Sequence, residues 1–306
     1  GLGPLAGLLI PALTAAALLA AGCLAFAMMP ASFDPGRVTW SELEYKASKL
    51  GFTTTSHITL ETVPSKEAGG EFIATVNGNG LRPEAPEILK LRIASSLLGQ
   101  DTILDLWLDP HQALAFQSIQ YTHGARQRYR AYRFAGRYVH SFLRKPEADE
   151  KDLSPDRWSI TDDQRFPHPA WAGERLVVTF PTALFYILST AELSRVGDHV
   201  EIPVFSQDSI SLMKIRVEDR EREKVNFLVD TPGSSPARVR GRREALRLSL
   251  HAQPLDATMQ GDFELIGFRG DVEILLDPQY RVPLLIEGNV PRVGKVRVRL
   301  QKIVHR

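Results

Sequence analysis

The sequence has little cysteine and almost no net charge. Its single cysteine, Cys23, cannot form an intrachain disulfide, which also excludes CxxC redox motifs and cysteine-based zinc sites. The 37 basic and 36 acidic side chains leave a formal net charge of +1. Dedicated nucleic-acid-binding proteins carry a strong basic excess, so we predict no nucleic-acid partner. The length of 306 residues allows one or two domains with a large core.

The motifs of several enzyme classes are also missing. The sequence contains no GxSxG, no P-loop, no GxGxxG and no HExxH. Its eight histidines are scattered, with no pair at short metal-ligand spacing. These absences favour a non-catalytic protein with no cofactor and no metal ion. Carboxylates brought together from different strands leave an enzyme acting on a glycan or lipid as an alternative.

The beginning of the chain is apolar, with no charged residue before Asp34. Residues 5–29 are long enough to cross a bilayer, which takes about 20 helical residues. Three interpretations stay open: a signal peptide cut after Ala27, an uncleaved membrane anchor, and a lipoprotein acylated at Cys23. Each exports the rest of the chain. We therefore predict a cell-envelope protein with a periplasmic domain that is either membrane-anchored or secreted.

A period of two dominates the remaining sequence. Leu104, Leu106 and Leu108 alternate with Asp105 and Trp107, which predicts an antiparallel strand with one face in a core and the other in water. The same alternation recurs at 200–204, 246–250 and 296–300. Turn signals lie between such runs, at Asp109-Pro110, Ala135-Gly136, Asp277-Pro278 and Asn77-Gly78-Asn79-Gly80.

One amphipathic helix is predicted in this strand-rich chain. Leu184, Ile187 and Leu188 recur at helical spacing, with Pro181 near the first turn and Gly197 beyond the end. A single helix of this kind usually caps a sheet, because its apolar stripe must be buried. The fold class we predict is mainly β: one large antiparallel curved sheet or open barrel with a capping helix at 181–193.

Two domain-level segments follow from these patterns. Residues 1–33 are predicted to be the signal peptide or membrane anchor, and residues 34–306 the exported β-rich domain. Within that domain we predict an acidic loop at 146–170 and an Arg/Pro/Gly-rich loop at 230–243.

The most distinctive charged feature is a run of basic and aromatic residues at 126–145 that contains no acid. Arg126, Arg128 and Arg130 are spaced to share one face of a strand, and they are the candidate ligand-binding residues. Outside the cytoplasm, guanidinium groups bind lipid head groups or anionic glycans. The alternative is a solvated sheet face paired with the acidic loop that follows.

Several short segments resemble a family of bacterial envelope proteins known as domain of unknown function 3108. They are residues 40–60 with Lys49-Leu50-Gly51, 106–121 with Leu108-Asp109-Pro110, 180–197 before Asp198, and 276–300 with Tyr280-Arg281-Val282-Pro283. The acidic and Arg-rich loops depart from that family's pattern. The resemblance implies an exported, β-rich domain of unassigned activity and brings no catalytic residues.

Three functions are compatible with the sequence. The first is an envelope protein, attached to the membrane through its N-terminal segment, that binds a lipid or another hydrophobic ligand. Its concave face would be lined by apolar residues, or these would form a filled core: Leu104, Leu106, Phe116, Leu248 and Leu250. The second is an assembly factor that binds another envelope protein through an exposed strand edge or a charged face. The third is the enzyme described above.

Overall fold

Strands make up most of the protein, as the period-two pattern predicts. The computed structural model describes residues 31–49, 51–75, 78, 80–97, 99–172, 176–256 and 263–306. The first eight strands are β1 (Trp40–Lys49), β2 (Phe52–Pro64), β3 (Glu87–Leu97), β4 (Gln100–Leu108), β5 (Ala115–His123), β6 (Arg128–Phe134), β7 (Tyr138–Lys145) and β8 (Ile160–Pro167). The others are β9 (His199–Ser206), β10 (Ser209–Asp230), β11 (Ala237–Pro254), β12 (Glu264–Leu265), β13 (Phe268–Leu276), β14 (Pro283–Val290) and β15 (Gly294–His305).

The fifteen strands of the described ranges all belong to one sheet, in which the first and last of them meet. β1 pairs antiparallel with β15 and thereby joins the meander of β1–β8 to the strands of the second half. Residues 228–230 of β10 also pair in parallel with residues 302–304 of β15. The C-terminal strands therefore close on themselves through β14, β13 and β11. The predicted mainly β, curved antiparallel fold is confirmed.

The predicted helix at 181–193 is confirmed in a shorter form. A 3-10 turn, Pro181–Ala183, leads into a helix (Leu184–Thr190) whose seven residues are all buried. The ring centroid of Phe185 lies 5.5 Å from that of Tyr45 on β1. The indole N–H of Trp40 donates to the Ser189 hydroxyl at 2.9 Å. The helix is thus held inside the curve of the sheet by both apolar packing and hydrogen bonds.

A second short helix, α1 (Ser65–Glu71), was not predicted and corrects the interpretation of one strand face. Its Ala68 packs with Ile88, Phe116 and Trp107 in a buried cluster. Trp107, predicted to face water, is therefore only 2% exposed. The sequence of α1 contains two glycines and one buried apolar residue, so it has no helical periodicity to detect. We number the Leu184–Thr190 helix α2.

Both predicted loops contain strand. β8 lies inside the acidic segment and pairs with β7, and there the Arg144 guanidinium donates to Asp163 at 3.1 Å. β11 starts at Ala237, so much of the predicted Arg/Pro/Gly loop is strand and only residues 231–236 form the turn. In both cases backbone pairing with the preceding strand outweighs the loop-like composition.

Parts of the chain lie outside the described residues. They include residues 1–30, so the signal peptide or anchor stays a prediction, and Asn77 and Asn79 of one predicted turn. In the part of the chain that the structure describes, no helix combines the length and the apolar character needed to span a membrane.

The partly buried ring of His168, just after β8, makes stability sensitive to acid. Burial lowers the pKa of His168 from 6.5 to about 4, and the backbone of Gly136 opposes this with a smaller effect. The unfolded chain therefore gains a proton near pH 6.5 that the folded protein does not accept until about pH 4. Stability that is present above pH 6.5 is lost as the pH falls through this window.

Replacing His168 by glutamine is expected to reduce this acid-side loss by about 2 kcal/mol, after a discount for partial solvent exposure. Urea unfolding above pH 6.5 and near pH 4 measures the difference. The variant His111→Gln, which replaces an exposed histidine, is the matched control. The same slope in wild type and His168→Gln would contradict the assignment.

Candidate functional site

Two of the three predicted ligand-binding arginines lie on one face of β6. The sheet register places Arg130 opposite Gln120, which in turn lies opposite Leu104 on β4. Arg128 lies opposite Thr122, one row nearer the end of the strands. The sequence prediction that these arginines share a strand face is correct for this pair.

The same face becomes apolar in the other direction along the strands. Tyr132 lies opposite Ser118, and Ser118 lies opposite Leu106, and all three are buried. Residues two apart on a strand are separated by about 6.6 Å. The surface therefore changes from apolar at Tyr132 to cationic at Arg130 within one such step.

The opposite wall comes from the second half of the sheet. The β9–β10 turn contributes Ser206 and Gln207, and the β12–β13 turn contributes Ile266 and Gly267. The Ser206 hydroxyl donates to the carbonyl of Glu264 at 2.7 Å and fastens the two turns together. Between these walls lies a cleft of about 400 Å³.

Aromatic rings line the inner end of this cleft. The ring centroid of Tyr132 lies 5.2 Å from that of Phe205 and 5.5 Å from that of Phe180. Phe134 and Phe166 extend the cluster behind Phe205, at centroid distances of 6.2 and 5.5 Å. The cleft thus presents apolar surface at one end and guanidinium groups at the other.

The β12–β13 turn holds an apolar side chain at the cleft in a strained conformation. Ile266 has φ 52° and Gly267 has φ 86°, both in the left-handed region. A β-branched residue rarely adopts this conformation, which costs about 1–3 kcal/mol. The Ile266 side chain is 38% exposed although it is apolar. Strain of this kind concentrates at ligand-binding sites.

The cleft carries two cationic side chains, Arg128 and Arg130, and the more distant charge of Glu264 acts on Arg128 only weakly. Burial, and secondarily the charge of Arg130, lowers the pKa of Arg128, although a guanidinium stays protonated. Neither arginine forms an ion pair with a carboxylate among the described residues. Among the described residues, the acid in the cleft wall is Glu264, which lies 3.5 Å from Arg269 and accepts from Gln207 at 3.1 Å.

Two polar atoms in the cleft wall have no hydrogen-bond partner among the described residues. They are Nε of Arg130 and the hydroxyl oxygen of Thr182, which is 3% exposed. Another nitrogen of Arg130 donates to the Tyr132 hydroxyl at 3.0 Å. Buried polar groups normally have partners, so these two atoms favour a ligand with acceptor oxygens.

Arg126, the third predicted residue, does not share the strand face. It precedes β6, is exposed, and its carbonyl accepts from the Gln100 amide at 3.2 Å. Together with Lys145 it lines an outer groove that continues from the cleft past Arg128. The alternative of pairing with the acidic segment holds for Arg144, through Asp163, and not for Arg128 or Arg130.

Only one of the five predicted apolar lining residues reaches the cleft. Leu104 lines it, whereas Leu106, Phe116, Leu248 and Leu250 are at most 2% exposed and belong to the filled core. The aromatic wall was missed because Phe180 and Phe205 are far from β6 in sequence.

In the part of the chain that the structure describes, other reactive groups do not assemble into a site of comparable geometry. On β11 the Nδ1 atom of His251 lies 2.7 Å from Asp271, while the hydroxyl of the nearby Ser249 donates to Glu218 at 2.5 Å rather than to the histidine. These groups lie on an open face of the sheet. Within the described ranges, no three potential metal ligands come together.

Comparison with known proteins finds no matching family model, no similar curated protein and no similar solved structure. The resemblance to domain of unknown function 3108 stays a prediction.

Proposed function

We propose that this chain is a non-catalytic protein of the bacterial cell envelope that binds an anionic amphiphile, such as a fatty acid or an anionic lipid, in the cleft. The supporting observation is the pair Arg128 and Arg130, two half-buried guanidinium groups without a carboxylate partner in the described ranges. They stand at the polar end of a cleft whose other end is aromatic. An acyl chain would lie against Tyr132 and the partly exposed Phe180, and the anionic group would accept hydrogen bonds from the arginines.

The envelope location rests on the predicted signal or anchor at residues 1–33. A lipid ligand is consistent with that location, because membranes supply such molecules. The size of the cleft also suits a small amphiphile, since ligand pockets are typically about 300–1,000 Å³.

Binding of palmitate to the full-length protein, with hexadecanol as the uncharged match, tests the proposal. Wild type should bind palmitate the more tightly of the two. The double variant Arg128→Gln/Arg130→Gln should lose at least about tenfold in palmitate affinity, because hydrogen bonds from charged donors are lost, and should bind hexadecanol unchanged.

Arg144→Gln is the matched control. It removes a charge from the neighbouring strand, where Arg144 lies opposite Tyr129 on the other face of the sheet and pairs with Asp163. Its palmitate affinity should equal that of wild type. Equal affinity of wild type for palmitate and hexadecanol, or an unaffected double variant, would refute the cleft as an anion site.

An assembly factor that binds by strand addition is the second candidate. β8 is at one end of the sheet, and its residues are exposed except for the partly exposed Phe166. However, the strand carries Asp162 and Asp163 and ends at Pro167, and charges and proline are features that prevent edge pairing. The lipid-binding proposal is therefore preferred.

A further inference from the structure

A second cationic surface lies on the long hairpin of β10 and β11. β11 pairs with β13 only at residues 246–250, so residues 219–245 extend beyond that pairing as a long hairpin, which joins the rest of the sheet where residues 228–230 pair with β15. We refer to residues 219–245 as the ribbon. Its tip is the 231–236 turn.

One face of the ribbon is bound to the rest of the protein. Phe227 is buried, with its ring centroid 6.0 Å from that of Tyr280. Glu223 accepts a hydrogen bond from Arg299 at 2.5 Å, and Arg243 donates to the buried Asp277 at 2.7 Å. On this inner face, the ring of Phe227 and the charged groups of Glu223 and Arg243 therefore have their partners within the protein.

The other face carries unpaired cations. The register places Arg238, Arg240 and Arg242 on one face with the cross-strand residues 228, 226 and 224. Five exposed basic side chains of this outer face lack an ion pair with any described carboxylate: Arg222, Lys224, Arg238, Arg240 and Arg242. Of the acids there, Glu244 is held by Arg220 and Asp230 by Lys302. Such a density of uncompensated charge fits a polyanionic partner.

The outer face suits a membrane surface better than a nucleic acid or a peptide strand. It has no aromatic side chain on which bases could stack. Gly241, with φ 125°, interrupts the free edge of β11, and such irregularities oppose strand addition. Exposed arginines and lysines attract anionic lipid head groups through their charge. A membrane partner therefore needs neither an aromatic side chain nor a regular strand edge.

The tip of the ribbon lies beside the start of the sheet. Asp230, next to the tip, lies opposite Val304 of β15, and the following residue, His305, lies opposite Trp40 at the start of β1. In the sequence, six residues separate the predicted membrane segment at 1–33 from β1.

From these observations we infer that the outer face of the ribbon docks on membranes rich in anionic lipid. Co-sedimentation of the full-length protein with phosphatidylcholine vesicles, and with equimolar phosphatidylcholine and phosphatidylglycerol, tests this. The quantity to compare is the ratio of the affinity for the anionic vesicles to the affinity for the phosphatidylcholine vesicles, because an apolar N-terminal segment contributes to both affinities. Wild type should prefer the anionic vesicles, and the preference should disappear at high salt.

The variant Arg238→Gln/Arg240→Gln/Arg242→Gln should weaken binding to anionic vesicles by roughly a hundredfold, since each basic residue contributes about fivefold. A control that removes three exposed cations elsewhere, Lys66→Gln/Lys151→Gln/Arg157→Gln, should retain the preference.

Three results would overturn the inference. They are no anionic preference in wild type, the same preference in the ribbon variant, and duplex DNA binding that the variant loses while its vesicle preference persists. The cleft variant Arg128→Gln/Arg130→Gln should keep the vesicle preference, so the two proposals fail or stand separately.

Discussion

Replacing Asp277 by alanine is expected to lower the free energy of unfolding by about 3–5 kcal/mol. The Asp277 carboxylate is completely buried. One of its oxygens accepts from the backbone N–H groups of Gln279 and Tyr280 at 2.8 and 2.9 Å, and the other accepts from Arg243 at 2.7 Å. The alanine variant leaves all these donors without their acceptor, and the partly buried guanidinium without its counter-ion.

Replacing Asp277 should also destabilise the interior helix α2. The Asp277 turn places Arg281 at φ 54°, where its carbonyl accepts from the Ser189 hydroxyl at 2.8 Å and its guanidinium donates to the Ser189 carbonyl at 2.7 Å. Ser189 also accepts from Trp40. Loss of the turn therefore loosens the end of α2 as well as the β13–β14 connection.

Asp109 is the matched control for this prediction. It makes the same turn after β4, accepting from the N–H groups of His111 and Gln112, both at 2.8 Å, but it has no cationic partner in the described part of the chain. Asp109→Ala should therefore cost only about 1–2 kcal/mol. Urea unfolding of both variants gives the comparison. Equal losses would show that the Arg243 pair contributes nothing beyond the turn.

The two turns show what the sequence could and could not predict. Asp109-Pro110 and Asp277-Pro278 are both recognisable as turn signals, and both turns occur where predicted. Their shared geometry is not visible in sequence, because only the Asp-Pro pair is common to them. In the structure both end in a left-handed residue, Ala113 or Arg281, and both contact α2.

Of the candidate cleft, only the wall formed by β6 could be predicted from the sequence. Alternation along β6 put Arg128 and Arg130 on one face, because strand periodicity is local. The opposing wall depends on long-range contacts: the β9–β10 and β12–β13 turns meet it only after the sheet curves. No pattern within a short window reports that Phe205 would pack on Tyr132 or that Ile266 would line the same cleft as Arg130.

Replacing Trp107 by alanine is expected to cost about 3–5 kcal/mol, although its position in an alternating strand predicts a solvent-facing side chain. α1 covers that face of β4, and the Trp107 ring lies 6.3 Å from the ring of Phe72 and under the Lys90 ammonium at 4.7 Å. Truncation therefore opens a cavity between α1 and the sheet.

The variant Trp107→Phe distinguishes the loss of packing from the loss of a hydrogen bond. The indole N–H of Trp107 has no partner in the described ranges, so phenylalanine forfeits no hydrogen bond and should cost much less, about 1–2 kcal/mol. Urea unfolding measures both losses. Hydrogen exchange supplies the local readout, since Trp107→Ala should speed exchange in α1 around Ala68 while the α2 amides stay protected. A loss below about 1 kcal/mol for the alanine variant would mean that α1 does not pack against the sheet as described, because exposed residues rarely cost more than about 0.5 kcal/mol.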